Sequence, residues 1–179
     1  MITARKDTEG VRTIPLGESD IAAFTIESTD PVTVDVITFN LDMQNVVIKT
    51  SSFQMHDSTG QMTNCYVADA ISSTMTDGTY HVVCRPAFDY QFRSSIPANG
   101  QETYTLSADI LSADSSQSPT LLQASLHRYA NAMATSHGED DRPTTSRVRF
   151  TNDRTGAVHY AFPSYEWRPV YATRYGTYH

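Results

Sequence analysis

Six histidines, His56, His81, His127, His137, His159 and His179, are the first residues of this 179-residue chain that could do chemistry. Imidazoles gather on a metal from local sequence when they recur as H-x-H or H-x-x-x-H. No two of them stand in either spacing, so the sequence reads them as surface or strand residues. His137-Gly-Glu-Asp-Asp141 sets three carboxylates beside an imidazole, an oxygen-rich set suited to a divalent cation. Its spacing is not that of an EF-hand loop, and a hydrated acidic loop accounts for it as well. A serine or cysteine nucleophile needs a base and an orienting group. The chain has no G-x-S-x-G elbow, no phosphate-binding loop and no G-x-G-x-x-G. The expectation is a protein that is not an enzyme and carries no cofactor or metal.

Two further sets of residues could carry binding rather than reaction. Cys65 and Cys84 each sit in a strand-like run, Asn64-Cys-Tyr-Val67 and Val82-Val-Cys84. Free cysteines in such runs behave as small buried hydrophobes, and that is the reading taken. A bridge between them needs their Cα atoms within about 7 Å, and a bridge to another chain would suit an extracellular particle. Residues 164–179 hold Tyr165, Tyr171, Tyr175 and Tyr178 together with Trp167, Arg168 and Arg174. Tyr, Trp and Arg are enriched at interface hot spots. These seven are expected to lie outside the barrel and to dock on a neighbouring subunit or a lipid surface, with Trp167 as central anchor. The alternative is a last strand or coil packed on its own domain.

The elements that would position these residues read as short β-branched runs between turn signals, an all-β pattern. Runs at 11–16, 20–27, 32–41, 46–53, 61–70, 80–84, 87–92, 103–111, 147–151 and 157–162 make ten strand candidates. Connections fall at Thr29-Asp-Pro31, Leu41 to Val46, Asp57-Ser-Thr-Gly60, Thr76-Asp-Gly78, Pro97 to Gly100 and Asn152 to Gly156. Residues 119–136 break the rhythm. Leu122, Leu126, Tyr129, Ala130 and Met133 share a helical face behind a Ser118-Pro119 cap, and the alanines favour helix. The same stretch also reads as a strand with Leu122, Ala124 and Leu126 inward. So many short strands hide their edges best in a single antiparallel jelly roll or β-sandwich barrel, here with one helical insertion. The expected division is an N-terminal arm 1–10, a jelly-roll domain 11–163 and the aromatic-arginine tail 164–179.

Composition sets the medium. Lys6 and Lys49 face eleven arginines, and fourteen Asp outnumber six Glu. Short hydrated carboxylates, a net charge of -7 and few lysines suit concentrated salt, where repulsion is screened within a few Å. A GC-rich genome also exchanges Lys for Arg. A pI near 5.2 argues against nucleic acid as the partner. Mean hydropathy of -0.39 is that of a soluble globule, and no run of 18 apolar residues offers a membrane span. The polar opening Met1 to Gly10 lacks a secretory h-region, so synthesis and assembly are expected in the cytoplasm.

Taken together, the salt-adapted composition, the ten runs and the aromatic-arginine tail resemble a family of structural proteins. It is the small major capsid protein of haloarchaeal icosahedral viruses with an internal membrane. The resemblance covers the whole chain and rests on size, composition and strand count rather than on a motif. It implies a single vertical jelly roll in the virion capsid, assembled in the host cytoplasm with copies of itself and with a second, larger capsid protein around a membrane vesicle. It carries over no catalytic or binding residue. A carbohydrate-binding or adhesive β-sandwich module is the alternative, and a small β-barrel enzyme is a further rival.

Overall fold

Alternation of β-branched and polar residues builds the strands, and burial follows it. In the computed structural model, which describes residues 2–6, 11–12, 14–68, 70–89, 91–114, 116, 120–126, 148–161 and 170–175, fifteen strands are formed. The first eight are β1 (Ile2–Lys6), β2 (Val11–Arg12), β3 (Gly17–Ser28), β4 (Val32–Gln44), β5 (Val46–Lys49), β6 (Gln54–His56), β7 (Met62–Val67) and β8 (Thr74–Met75). They are followed by β9 (Gly78–Cys84), β10 (Ser95–Ile96), β11 (Gly100–Ala113), β12 (Leu121–Leu126), β13 (Val148–Asn152), β14 (Val158–Ala161) and β15 (Val170–Tyr175). All pairings are antiparallel except that of β15 with β2. The protein is an all-β antiparallel sandwich of the jelly-roll type.

Two long strands act as spines. β11 carries β3 along one side, and β6 and β5 in succession along the other. β4 carries β10 and β9 on one side, β13 and β12 on the other. β7 belongs to both sheets, pairing β6 in the first and β9 in the second. Inward residues of the two spines meet in one core. Phe24 on β3 is the ladder partner of Tyr104 on β11 and reaches Phe39 on β4 edge-on, ring centroids 5.5 Å apart. Phe92, in the connection before β10, stacks on Tyr104 with ring centroids 5.6 Å apart. Burying such rings supplies the main cohesion, and truncating one to Ala costs about 3–5 kcal/mol.

Several expectations need correction. Leu121–Leu126 is a strand and not the start of a helix: it pairs with Asn40–Gln44 of β4 on one side and with β15 on the other. Leu122 and Ala124 alternate into the core, so an available sheet edge outweighs the helical preference of alanine. Residues 127–136 lie outside the described residues. The run at 87–92 forms no strand. Pro86, without an N–H to give a ladder, opens a 3-10 turn at Pro86–Phe88 that tightens into a second turn closed by Phe92 N–H on the Asp89 carbonyl. The connection expected from Leu41 to Val46 shrinks to one residue, Asn45, whose φ of 56° is tolerated by its short polar side chain. Asp77-Gly78 does not close a hairpin either. β8 pairs with β5 and β9 with β4, and Asp77 Oδ1 accepts the Asn45 N–H at 2.6 Å.

The chain ends also differ from the expected arm and tail. Ile2–Lys6 pairs with Phe24–Ser28 of β3, inside the segment read as an arm. Val170–Tyr175, read as lying outside the barrel, runs as a strand beside β12. Backbone hydrogen bonding to an open strand edge draws both segments into the sheets.

Candidate functional site

Among the described residues, a knot of ionisable side chains gathers where the β6–β7 turn meets β11 and the connection before β10. Asp57 opens the turn, and its carboxylate organises it. Oδ1 accepts the Thr59 N–H at 2.8 Å, the Thr59 hydroxyl at 2.6 Å and the Gln61 N–H at 3.0 Å. Oδ2 accepts the Arg93 N–H at 2.8 Å. Glu102 on β11 faces the same knot. Its Oε1 accepts the Ser58 N–H at 2.8 Å, and its Oε2 lies 3.3 Å from Arg93 Nε. The Tyr104 hydroxyl donates to the Arg93 carbonyl at 3.2 Å. Arg93 is therefore held through its amide, its carbonyl and its guanidinium at once.

Burial alone would raise the Asp57 carboxyl. The bonds from the Thr59 hydroxyl and from the N–H groups of Arg93, Thr59 and Gln61 outweigh it and hold the group below the usual aspartate range. Burial pushes the Tyr104 phenol well up, and the charges of Glu102 and Asp57 add to this, so it stays a protonated donor. General acid-base work requires an oxygen that can turn to a substrate. Here Asp57 and Glu102 are buried and take six donor contacts between them. The arrangement fastens three chain segments together.

A second grouping has the outline of a nucleophile and base. His56 Nε2 lies 3.0 Å from Ser107 Oγ. Ser107 is only 2% exposed, and its hydroxyl also reaches the Gln54 carbonyl at 3.5 Å. A nucleophile must reach its substrate, so this pair serves as a cross-strand bond. A shallow cleft of about 350 Å3 lies between Glu27–Thr29 and Asn99–Gln101. It holds a single carboxylate, Glu27, whereas glycoside cleavage takes two. Among the described residues no three His, Cys, Asp or Glu side chains gather as metal ligands.

Cys65 and Cys84 form a disulfide, which corrects the reading of free thiols. The two are direct partners in the β7–β9 ladder with Cα atoms 4.4 Å apart, the close spacing of a non-hydrogen-bonded pair. Beside the bridge, Tyr66 turns outward. The Arg85 guanidinium lies 5.4 Å from its ring centroid and donates to its hydroxyl at 3.1 Å.

Of the residues expected at an interface, Tyr171, Arg174 and Tyr175 stand on β15 opposite Ser125, Gln123 and Leu122. Tyr165, Trp167, Arg168 and Tyr178 lie outside the described residues, as do the acidic loop His137–Asp141 and the imidazoles of His127 and His179. Asp57, Glu102 and Arg93 were not singled out from the sequence. Glu102 left a signal: it shares the inward face with Tyr104 and Leu106, a carboxylate in a core position. Asp57 also left one, as the first residue of a turn with Thr two positions on.

No protein-family model matches the sequence, nor does any curated protein. A solved structure of AvmM, which catalyses macrocyclization in alchivemycin A biosynthesis, is similar over 69% of this chain and 71% of its own, with 11% identity and a TM-score of 0.36. So remote a likeness carries no argument about this chain.

Proposed function

We propose that this chain is a structural coat subunit, a small major capsid protein of the kind found in haloarchaeal icosahedral viruses with an internal membrane. It assembles in the host cytoplasm with itself and with a larger capsid protein, and works in the virion. The observation that carries the reading is the use made of the ionisable and sulfur groups. Asp57, Glu102 and Arg93 pin two loops to a spine strand, and Cys65–Cys84 ties the strand common to both sheets. Such fastening suits a wall element whose loops must keep their shape through assembly. A disulfide also accords with a particle that leaves the reducing cell interior. Sedimentation and electron microscopy of the purified chain in molar potassium chloride test the reading, with defined oligomers or sheets as the expected result. A chain that stays monomeric at every concentration, with and without a larger coat partner, refutes it.

One observation favours an adhesive module as second reading. Tyr66, 41% exposed, presents an aromatic ring on a sheet face, as carbohydrate-binding surfaces do. Binding on a glycan array, lost in Tyr66→Ala, would establish that reading instead.

A further inference from the structure

The outer face of the first sheet differs in character from one side to the other. It runs β3, β11, β6 and β7, and three strand spacings of about 4.8 Å separate its two sides by about 14 Å. On the β3 side Glu18 stands directly opposite Asp109. Neither carboxylate has an ion-pair partner among the described residues. Next to them Leu16 is 65% and Leu111 47% exposed. Leu16 continues the chain back from Gly17, whose partner is Ile110, which brings it beside Leu111. A register shift between Ile110 and Ser112 against β5 accompanies the outward turn of Leu111. The β7 side carries Tyr66 with Arg85 laid over its ring.

The two sides are level with one another. Ser107, Gln54 and Asn64 form one row across β11, β6 and β7. β11 and β7 run in the same direction, so Asp109 and Tyr66 both stand two residues beyond that row. A second copy facing this one, turned by 180° about an axis parallel to the strands, therefore sets its Tyr66 and Arg85 against Glu18 and Asp109. The same contact recurs on the other side of the axis, as a two-fold interface requires. Two like carboxylates held opposite each other repel, and a guanidinium is the group that relieves them bidentately. The leucines supply apolar area at the rim of the same contact.

We infer that the outer face of β3, β11, β6 and β7 is a self-complementary docking surface for a second copy of this chain, with Arg85 and Tyr66 of one copy engaging Glu18 and Asp109 of the other. The inference deepens the coat-subunit reading and rests on it. Charge exchange tests it by sedimentation equilibrium, with circular dichroism confirming the fold. Glu18→Arg with Asp109→Arg, and separately Arg85→Glu, should each weaken self-association about tenfold or more. An equimolar mixture of the two variants should restore it, because both contacts of the mixed pair are again opposite in charge. Should Arg85→Glu fail to fold, Tyr66→Asp replaces it at an exposed position and is expected to weaken association alike. If the wild-type chain associates and the variants associate equally well, this face is not the interface while the coat reading stands. A wild-type monomer overturns both.

Discussion

Glu18 and Asp109 are direct partners across the β3–β11 ladder, two carboxylates facing each other on an exposed sheet surface. In dilute buffer this costs stability, roughly 0.2–1 kcal/mol for a like-charge cross-strand pair. Molar salt shortens the range of the repulsion to about 3 Å. Melting temperature should therefore rise along a potassium chloride series, and Asp109→Asn should raise it at low salt while flattening the rise. An unchanged salt slope in the variant would remove this pair from the account.

Acid should act through Asp57. Its folded carboxyl lies below the unfolded value of about 3.9. Its contribution is thus complete above that value and is lost as pH falls through the folded one. Urea unfolding at a series of pH values from neutrality down to about 2.5 should show stability falling steeply below about pH 4. Asp57→Asn should cost about 2–4 kcal/mol at neutral pH, because it leaves the Arg93, Thr59 and Gln61 donors poorly matched in a buried place. The variant should also lose part of the acid limb.

The Cys65–Cys84 bridge spans 19 residues of chain. Loop closure on that scale is worth about 3 kcal/mol in the chain-entropy account. Replacing both cysteines by serine should lower stability by about that amount without unfolding the sandwich. Mass spectrometry after alkylation should find no free thiol in the untreated chain. Labelling of both cysteines before reduction would contradict the bridge.

Shortening the chain to residue 163 should weaken the sandwich itself. Val170–Tyr175 covers one side of β12, so its removal opens a strand edge and breaks the link to β2. The expected outcome is a lower melting temperature and protease cleavage near 121–126. A shortened chain as stable as the whole would mean that β15 adds nothing to the sandwich.

The fold class was legible because alternation is written in single residues. Val32 to Leu41 reads as a strand from its β-branched positions alone, and the turns at Asp57–Gly60, Pro97–Gly100 and Asn152–Gly156 fall where their Asp, Pro, Asn and Gly place them. Pairing was not legible. Leu121–Leu126 carries both a helical and a strand pattern, and only the neighbouring edge of β4 decides between them. The disulfide was hidden for the same reason, since nothing near Cys65 or Cys84 states that β7 and β9 are neighbours in this register. The knot at Arg93 depends on three segments whose meeting is a property of the whole sheet. Its exposed arginine looks ordinary in sequence.

The pairing of β15 with β2 sets Arg174 beside Val11, and this has a consequence in time rather than in strength. The β3–β11 ladder likewise joins residues 17–28 to 100–110. A chain wired in this way has little to gain from local contacts early in folding, and it belongs with the domains that take milliseconds to seconds. During synthesis β12 must wait, with one edge open, until residues 170–175 have left the ribosome. In that interval the nascent chain is exposed to mispairing with its neighbours, so its yield should depend on how crowded its own synthesis is.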